Sequence, residues 1–316
     1  MTSLPGIEAF RPMVFLMGPT ASGKSALAMH LARQFPLEIV NADSVQVYRG
    51  MNIGTAKPSA DEQKKIPHHL LDLVMPDVLF SVGQYRRQAL AVIDACHDRQ
   101  RIPLFVGGSG LYFRAVERGL APVPEVADQI VRQWRERGER EGWASLHTRL
   151  AQVDPLLASR LSVGDAQRIV RGLAVWEGTG HPLTYWQQQP HVPIAAPVLK
   201  LAVAWPRDAL YARIEQRFDL MLQQGFLQEV ASLRRQGFDR NLPAMKAVGY
   251  RQLLRHLDGE ISLASAVELG KQESRRYAKR QLTWLRREPG LVWLSAGPEM
   301  LIMAEQQVEV YCKGGG

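Results

Sequence analysis

The octapeptide "GPTASGKS" has residue types that can hold a chain of phosphates. It comprises Gly18, Pro19, Thr20, Ala21, Ser22, Gly23, Lys24 and Ser25. Gly18, Gly23, Lys24 and Ser25 match the spacing G-x-x-x-x-G-K-[ST]. The glycines permit a tight turn whose backbone N–H groups point inward. The turn feeds a helix start, where the partial positive charge favours an anion. Lys24 can reach a terminal phosphate, and the Ser25 hydroxyl can ligate a phosphate-bound Mg²⁺.

An ATPase built on such a loop also needs an acidic residue ending a core strand to hold the metal. The apolar run "IPLFV" ends instead in "GGSG", residues 107–110. Glycines there allow another backbone or a flat ligand to come close. The carboxylate at a nearby strand end is Asp43, in "NADSVQVYRG". It can hold Mg²⁺ through water, take a proton from a nucleophile, or simply cap a turn. The residues alone leave these readings open.

These groups need elements to position them. "MVFLM" (13–17), "LEIVNAD" (37–43), "IPLFVGG" (102–108), "PVLKLAVAW" (197–205) and "LVWLS" (291–295) read as strands. Helical patterns separate them, with helices expected at about 24–33 and 82–99. Residues 50–80 read as irregular, punctuated by Gly54, Pro58, Pro67 and Pro76. Strands alternating with helices predict an α/β fold, a parallel sheet with helices on both faces as in P-loop NTPases. Residues 122–196 read as a helical insertion domain without a convincing strand. The α/β core is then 1–121 with 197–316, ending in basic helices. The terminal "KGGG" is expected to be unstructured.

Composition narrows the function classes. The 316 residues carry a formal charge of +8, so a polyanionic partner or a merely solvated basic surface is expected. No apolar run approaches the ~18 residues of a membrane span, and no secretory signal is visible, so a cytoplasmic setting without membrane contact is expected. Cys96 and Cys312 lack metal-ligand spacing, and Cys96 reads as a small core residue. His68 and His69 are adjacent, so they share no face and make a poor ligand pair; packing or a turn role is expected. Met13, Met17 and the tryptophans outside the basic stretch read as core.

That basic stretch is "SRRYAKRQLTWLRR". At a 3.6-residue period, Ala278, Leu282 and Leu285 share one face. Arg276, Lys279, Arg280, Thr283, Arg286 and Arg287 gather opposite, with Trp284 at the edge and no acid between Glu273 and Glu288. A solvated helix normally mixes signs, so this face is expected to meet nucleic acid.

Taken together, the motifs resemble the tRNA dimethylallyltransferases of the bacterial MiaA type, also called tRNA isopentenyltransferases. The matching segments are "GPTASGKS", "NADSVQVYRGMNIGTAKP", "PHHLLD", "FSVGQY", "PLFVGGSGLY", "QRIVR", "KAVGYRQ" and "KRQLTWLRR". They occur in order and cover most of the chain. Ser25 and Ser109 stand where family members often have Thr, and each keeps the hydroxyl. The resemblance implies transfer of a dimethylallyl group from dimethylallyl diphosphate to N6 of the adenosine immediately 3′ of the anticodon, with diphosphate released. The loop would then hold a prenyl diphosphate, which explains the lack of an acidic strand end.

The resemblance also assigns residues. Thr20 is placed near the bridging oxygen, Arg217 grips the diphosphate, Asp43 takes the amine proton, and Ser25 holds Mg²⁺. Without it, Arg217 reads as a solvated helix position. Expected tRNA contacts are Asp43, Ser44, Val45, Gln46 and Ser109, although Ser109 also suits a tight turn. The "QRIVR" match adds Gln167, Arg168, Ile169, Val170 and Arg171. The "KAVGYR" match adds Lys246, Ala247, Val248, Gly249, Tyr250 and Arg251. The basic helix adds Lys279, Arg280, Gln281, Leu282, Thr283, Trp284, Leu285 and Arg286. The implied partners are dimethylallyl diphosphate and the tRNA anticodon stem-loop, bound by a monomer.

Two other functions fit parts of the sequence: a small-molecule kinase, and an RNA-binding protein switched by nucleotide occupancy. The basic helix is superfluous in the first. The second requires RNA binding without change in RNA mass.

Overall fold

The computed structural model describes residues 11–191, 193, 194 and 196–313. Residues 314–316 of the expected loose tail lie outside the described residues, whereas Lys313 ends a helix. The chain divides into two compact units, Met1–Glu117 with Ile194–Gly316, and Arg118–Pro193.

The larger unit is a six-stranded sheet of β1 (Met13–Met17), β2 (Leu37–Ala42), β3 (His68–His69), β4 (Ile102–Gly107), β5 (Val198–Ala204) and β6 (Leu291–Ser295). The order is β3-β2-β4-β1-β5-β6, and every neighbouring pair is parallel. β1 shows why its sequence is apolar throughout. Val14 and Leu16 enter the core on one face, while Met13, Phe15 and Met17 enter the core on the other. A strand buried on both faces needs no polar alternation. Helices α1 (Lys24–Gln34) and α14 (Met300–Lys313) pack into the first core; α3 (Val82–Asp98) and α4 (Gly110–Arg118) pack into the second.

Three elements depart from expectation. Within 50–80 the chain forms β3 and a short helix, α2 (Ala60–Lys65), started by a reciprocal Ser59–Glu62 capping box. α14 follows the last strand, where no helix was expected. Its exposed Leu301, Ile302, Met303 and Val310 blur the apolar periodicity that would have revealed it. The tryptophans also vary: Trp134 is buried, but Trp293 is exposed.

His69 sits in β3 and pairs at 2.7 Å with Glu38 of β2. Arg99 donates to both Glu38 oxygens, at 3.1 and 2.7 Å, and the Cys96 thiol lies 3.5 Å away. Glu38, His69 and Cys96 are close enough to suit a metal ion. The chemistry favours an ion pair instead, because Arg99 occupies the carboxylate and burial pushes the thiol up to about 12. Hydrogen bonding from Arg99, reinforced by His69, brings the Glu38 carboxyl down to about 2 against the cost of its burial. Its stabilising contribution is therefore complete above the usual pKa of 4.5 and is lost as pH falls towards 2. Arg99 is half exposed, so screening limits the gain. Glu38→Gln is expected to cost about 1–2 kcal/mol at pH 7 and to flatten the loss of stability between pH 4.5 and 2, measured by urea unfolding.

The remaining helices of this unit are α10 (Arg207–Gln223), α11 (Phe226–Arg235), α12 (Tyr250–Leu257) and α13 (Leu263–Leu285). They share a third core with Val47, Tyr48 and Met51. The smaller unit contains α5 (Asp128–Glu141), α6 (Trp143–Val153), α7 (Pro155–Ala158), α8 (Ala166–Thr179) and α9 (Leu183–Gln187), with no strand among its described residues. Its core includes Trp134, Leu146, Leu150, Ile169 and Leu173.

Candidate active site

The carboxyl ends of β1, β2 and β4 lie at one edge of the sheet, and the connections leaving the neighbouring strands β1 and β4 run in opposite directions, to β2 and to β5. Such a point is where open parallel sheets bind ligands. At the end of β1, Gly23 takes φ 90° and serves as N-cap of α1. The loop is held from outside. Trp205 Nε1 donates to Ser22 O at 2.8 Å, Arg213 Nε donates to Ala21 O at 2.9 Å, and Thr20 N donates to Gln281 Oε1 at 2.9 Å. The Arg213 guanidinium in turn lies 4.3 Å from the Trp205 ring centre. The free N–H groups of the first turn of α1 remain available to an anion.

β2 ends in a turn that presents Asp43. Buried Asn41 fixes it: its Nδ2 donates to Asp43 O and Leu70 O, each at 3.0 Å, and Asp43 N donates to its Oδ1 at 2.9 Å. Asp43 Oδ1 accepts from Val45 N at 2.8 Å, so the turn-capping role is real alongside any chemical one. Ser44 N donates to Ser109 Oγ at 3.0 Å, joining this turn to the glycine-rich one after β4. The glycines of that turn answer to close neighbours. A Cβ on Gly107 would overlap the Ala42 backbone, one on Gly108 would overlap Gln281, and one on Gly110 would strike Trp284.

Thr20, Lys24, Ser25, Asp43, Ser44, Gln46 and Arg217 line one cavity of about 810 Å³. Ser109 is joined to it through Ser44. A smaller recess of about 350 Å³ shares Lys24, Ser25 and Arg217 and adds Arg213. Arg217 thus stands with Lys24 at the cavity wall rather than on a solvated face. Burial, then the nearby Arg217, brings the Lys24 ammonium down to about 8, with Asp43 acting the other way. Burial and Arg213 likewise lower Arg217, again opposed by Asp43. Recessed cations that depress one another make a pocket suited to a polyanion.

The expected RNA-contact residues divide sharply. Lys279, Arg280 and Thr283 on α13 and Arg286 at its C-cap are exposed, as are Lys246, Arg251, Gln167, Arg168 and Arg171. Others are packed within the protein, although Ala247, Val248, Tyr250 and Gln281 also line the cavity. Tyr250 is fully buried, and its hydroxyl donates to Glu229 Oε1 at 2.6 Å. Leu285 belongs to the sheet core, and Ile169 and Val170 to the core of the smaller unit. Gly249 is buried at φ 90° beneath Phe226, and Gln281 is buried against the phosphate loop. Ala247, Val248 and Leu282 are half-buried, and Trp284 packs against Phe113 beneath Gly110. The matched segments include packing positions as well as surface ones, which the residues alone did not separate. Gln46 is also committed: its Nε2 donates to Thr55 O at 3.0 Å and Ala56 O at 3.3 Å.

Glu229 anchors the same loop by accepting from the N–H groups of Asn52, Ile53 and Gly54 at 2.8–3.2 Å. Glu229, Asn41, Trp205, Arg213 and the inward role of Gln281 were not anticipated. Only Trp205, as the last residue of a predicted strand, offered a sequence signal.

Known proteins resemble this chain in sequence and in fold. The family model described as IPP transferase matches residues 46–288. A tRNA dimethylallyltransferase of Magnetococcus marinus is 57% identical over 285 residues, covering 88% of this chain and 93% of the relative. Its counterpart in Geobacter sulfurreducens is 48% identical, covering 89% and 91%. The crystal structure of the full-length tRNA isopentenylpyrophosphate transferase of Bacillus halodurans superposes with a TM-score of 0.72 at 31% identity, covering 96% of this chain and 98% of that one. A eukaryotic dimethylallyltransferase acting on tRNA gives 0.82 at 23% identity, a likeness of fold. With the family model spanning most of its length and such relatives along nearly all of it, the chain belongs to the IPP transferase family.

Proposed function

We propose that the protein transfers a dimethylallyl group from dimethylallyl diphosphate to N6 of the adenosine immediately 3′ of the anticodon in tRNA. The observation that carries this reading is the meeting of Lys24 and Arg217 with Asp43 in one cavity at the strand ends. Relatives named tRNA dimethylallyltransferase support the reaction class, and the kinase reading is not favoured.

The allylic carbon ionises readily, so the barrier lies largely in charge leaving with the diphosphate. Lys24, Arg217 and the start of α1 receive that charge in a preorganised site. The Thr20 hydroxyl stands in the loop near the bridging oxygen. The C–O bond to diphosphate breaks as the N6–C bond forms, and the N6 proton passes to Asp43. Accepting a hydrogen bond from the amine also raises its electron density before attack. Ser44 and Ser109 flank the carboxylate and can meet the adenine edge. A base in an anticodon loop is already unpaired, which lowers the cost of bringing it into the cavity.

The residues present suit Mg²⁺. The Ser25 hydroxyl lines the cavity, and this cation characteristically takes few protein ligands beside substrate phosphates and water. When bound, it would neutralise charge on the diphosphate. The reading takes the protein to act as a monomer, and a tRNA substrate implies a cytoplasmic site of action. No helix among the described residues is long and apolar enough to cross a membrane.

Mass spectrometry of unmodified tRNA tests the reading directly. Incubation with dimethylallyl diphosphate should add one dimethylallyl group to the anticodon-loop fragment and release diphosphate. Consumption of ATP with unaltered tRNA would overturn it. The exposed face of α13 makes a separate prediction. Lys279→Glu with Arg280→Glu should weaken tRNA binding and reduce its salt dependence, by about 0.7–0.9 in logarithmic slope per lost phosphate contact. Filter binding across a salt series checks this.

A further inference from the structure

Gln281 lies next to the cations of α13. It is buried where Arg280 is exposed, although both line the cavity wall. Both ends of the Gln281 amide are used. Its Oε1 accepts from Thr20 N at 2.9 Å, and its Nε2 donates to Gly108 O at 3.1 Å. The side chain therefore links the phosphate loop after β1 to the glycine-rich turn after β4. Gly108 has no room for a Cβ because this amide occupies the space.

One turn earlier on α13, the Tyr277 hydroxyl pairs with the Ser109 and Gln281 side chains. Ser109 Oγ accepts from Ser44 N, beside Asp43. A single helix face thus touches the loop at Thr20, the turn at Gly108 and Ser109, and through Ser109 the Asp43 turn. Arg276, Lys279 and Thr283 are exposed on the helix's outer side, with Arg286 exposed at its C-cap, while the Arg280 guanidinium lies 5.7 Å from the Tyr277 ring centre and lines the cavity.

We propose that Gln281 is a positioning residue for the diphosphate donor, and that through it α13 sets the donor loop in register with RNA docked on the helix's outer face. The inference rests on the proposed prenyl transfer for its second half only. Anchoring Thr20 fixes the hydroxyl beside the breaking bond, and anchoring Gly108 fixes the wall opposite. Holding both partners relative to one rigid element is how an active site supplies orientation, where an error of 1 Å can cost about a hundredfold in rate.

The test compares Gln281→Met, which keeps length and removes both hydrogen bonds, with Gln281→Asn, which keeps the amide one methylene too short to span both partners. Binding of inorganic diphosphate is measured by calorimetry, and KM for donor and tRNA with kcat in steady state. Gln281→Met is expected to weaken diphosphate binding and lower kcat/KM for the donor by ~10–100-fold, the loss of two hydrogen bonds at a preorganised site. KM for tRNA should stay within about twofold. Gln281→Asn should fall between Gln281→Met and the unaltered protein, and it decides the matter if the methionine variant does not fold. Lys279→Glu, at an exposed position outside the cavity lining, should show the reverse pattern, raising KM for tRNA while leaving diphosphate affinity intact. Unchanged diphosphate affinity in both Gln281 variants, or equal losses for the two substrates, would overturn the proposal. If the unaltered protein bound diphosphate but left tRNA unmodified, the transfer reading would fail while the diphosphate measurement still decided the role of Gln281.

Discussion

Asp43→Ala is expected to lower turnover by ~10²–10⁴-fold with donor and tRNA saturating, the usual range for a general base. The attacking nitrogen is an aromatic amine whose lone pair is delocalised into the ring. It reacts as its proton is drawn away, and Asp43 is presented to the cavity that also holds Lys24 and Arg217, where the Glu62 carboxylate is taken up by Ser59. The fold has invested in its placement: buried Asn41 makes three hydrogen bonds around the turn, and the Tyr85 hydroxyl donates to Asn41 O at 3.0 Å. Since Asp43 also accepts from Val45 N, truncation could disturb the turn instead of the chemistry. Asp43→Asn separates the two. The amide oxygen keeps the Val45 contact but cannot take a proton at neutral pH, so turnover should stay low while tRNA and diphosphate affinities remain near those of the unaltered protein. Full recovery of turnover in Asp43→Asn would remove proton transfer from the role of this residue.

The contrast between Asp43 and Gln281 shows which parts of the site could be read in the sequence. The phosphate loop and Asp43 each follow a short apolar run, and their spacing alone places them at strand ends. β1 and β4 were visible because burial on both faces leaves them largely apolar, and β2 because Leu37, Ile39, Val40 and Ala42 outweigh Glu38 and Asn41. Gln281 acts on Thr20 across 261 residues, and Trp205 on Ser22 across 183. No local pattern encodes such a contact, so Gln281 read as one more polar position on a basic helix. β3 has two residues and α2 has six, too few for any period to emerge. Arg217 was ambiguous for the same reason: helical spacing does not distinguish a position at a cavity wall from one facing solvent, and only the packing of α10 resolves it.

Arg217→Ala is expected to cost ~10²–10³-fold in kcat, comparable with removing one preorganised donor from a developing negative charge. The electrostatics add a second, less obvious consequence. In the ligand-free protein Arg217 is a burden, since it lies in a recess with Lys24 and Arg213 and helps bring the Lys24 ammonium down to about 8. Removing it should relieve that repulsion, raise the Lys24 pKa and leave ligand-free stability unchanged or improved. The advantage of Arg217 appears only when an anion arrives. At inorganic diphosphate a hundred times its dissociation constant, the unaltered protein should gain about 2.7 kcal/mol. A variant binding about a hundredfold more weakly should gain only about 0.4 kcal/mol at the same concentration. Thermal unfolding with and without diphosphate measures both quantities. Equal diphosphate stabilisation of the two proteins would show that Arg217 does not hold the leaving group. A large loss of ligand-free stability would show that its charge is compensated within the fold, and the pocket would then lack the excess positive field on which recognition of a diphosphate depends.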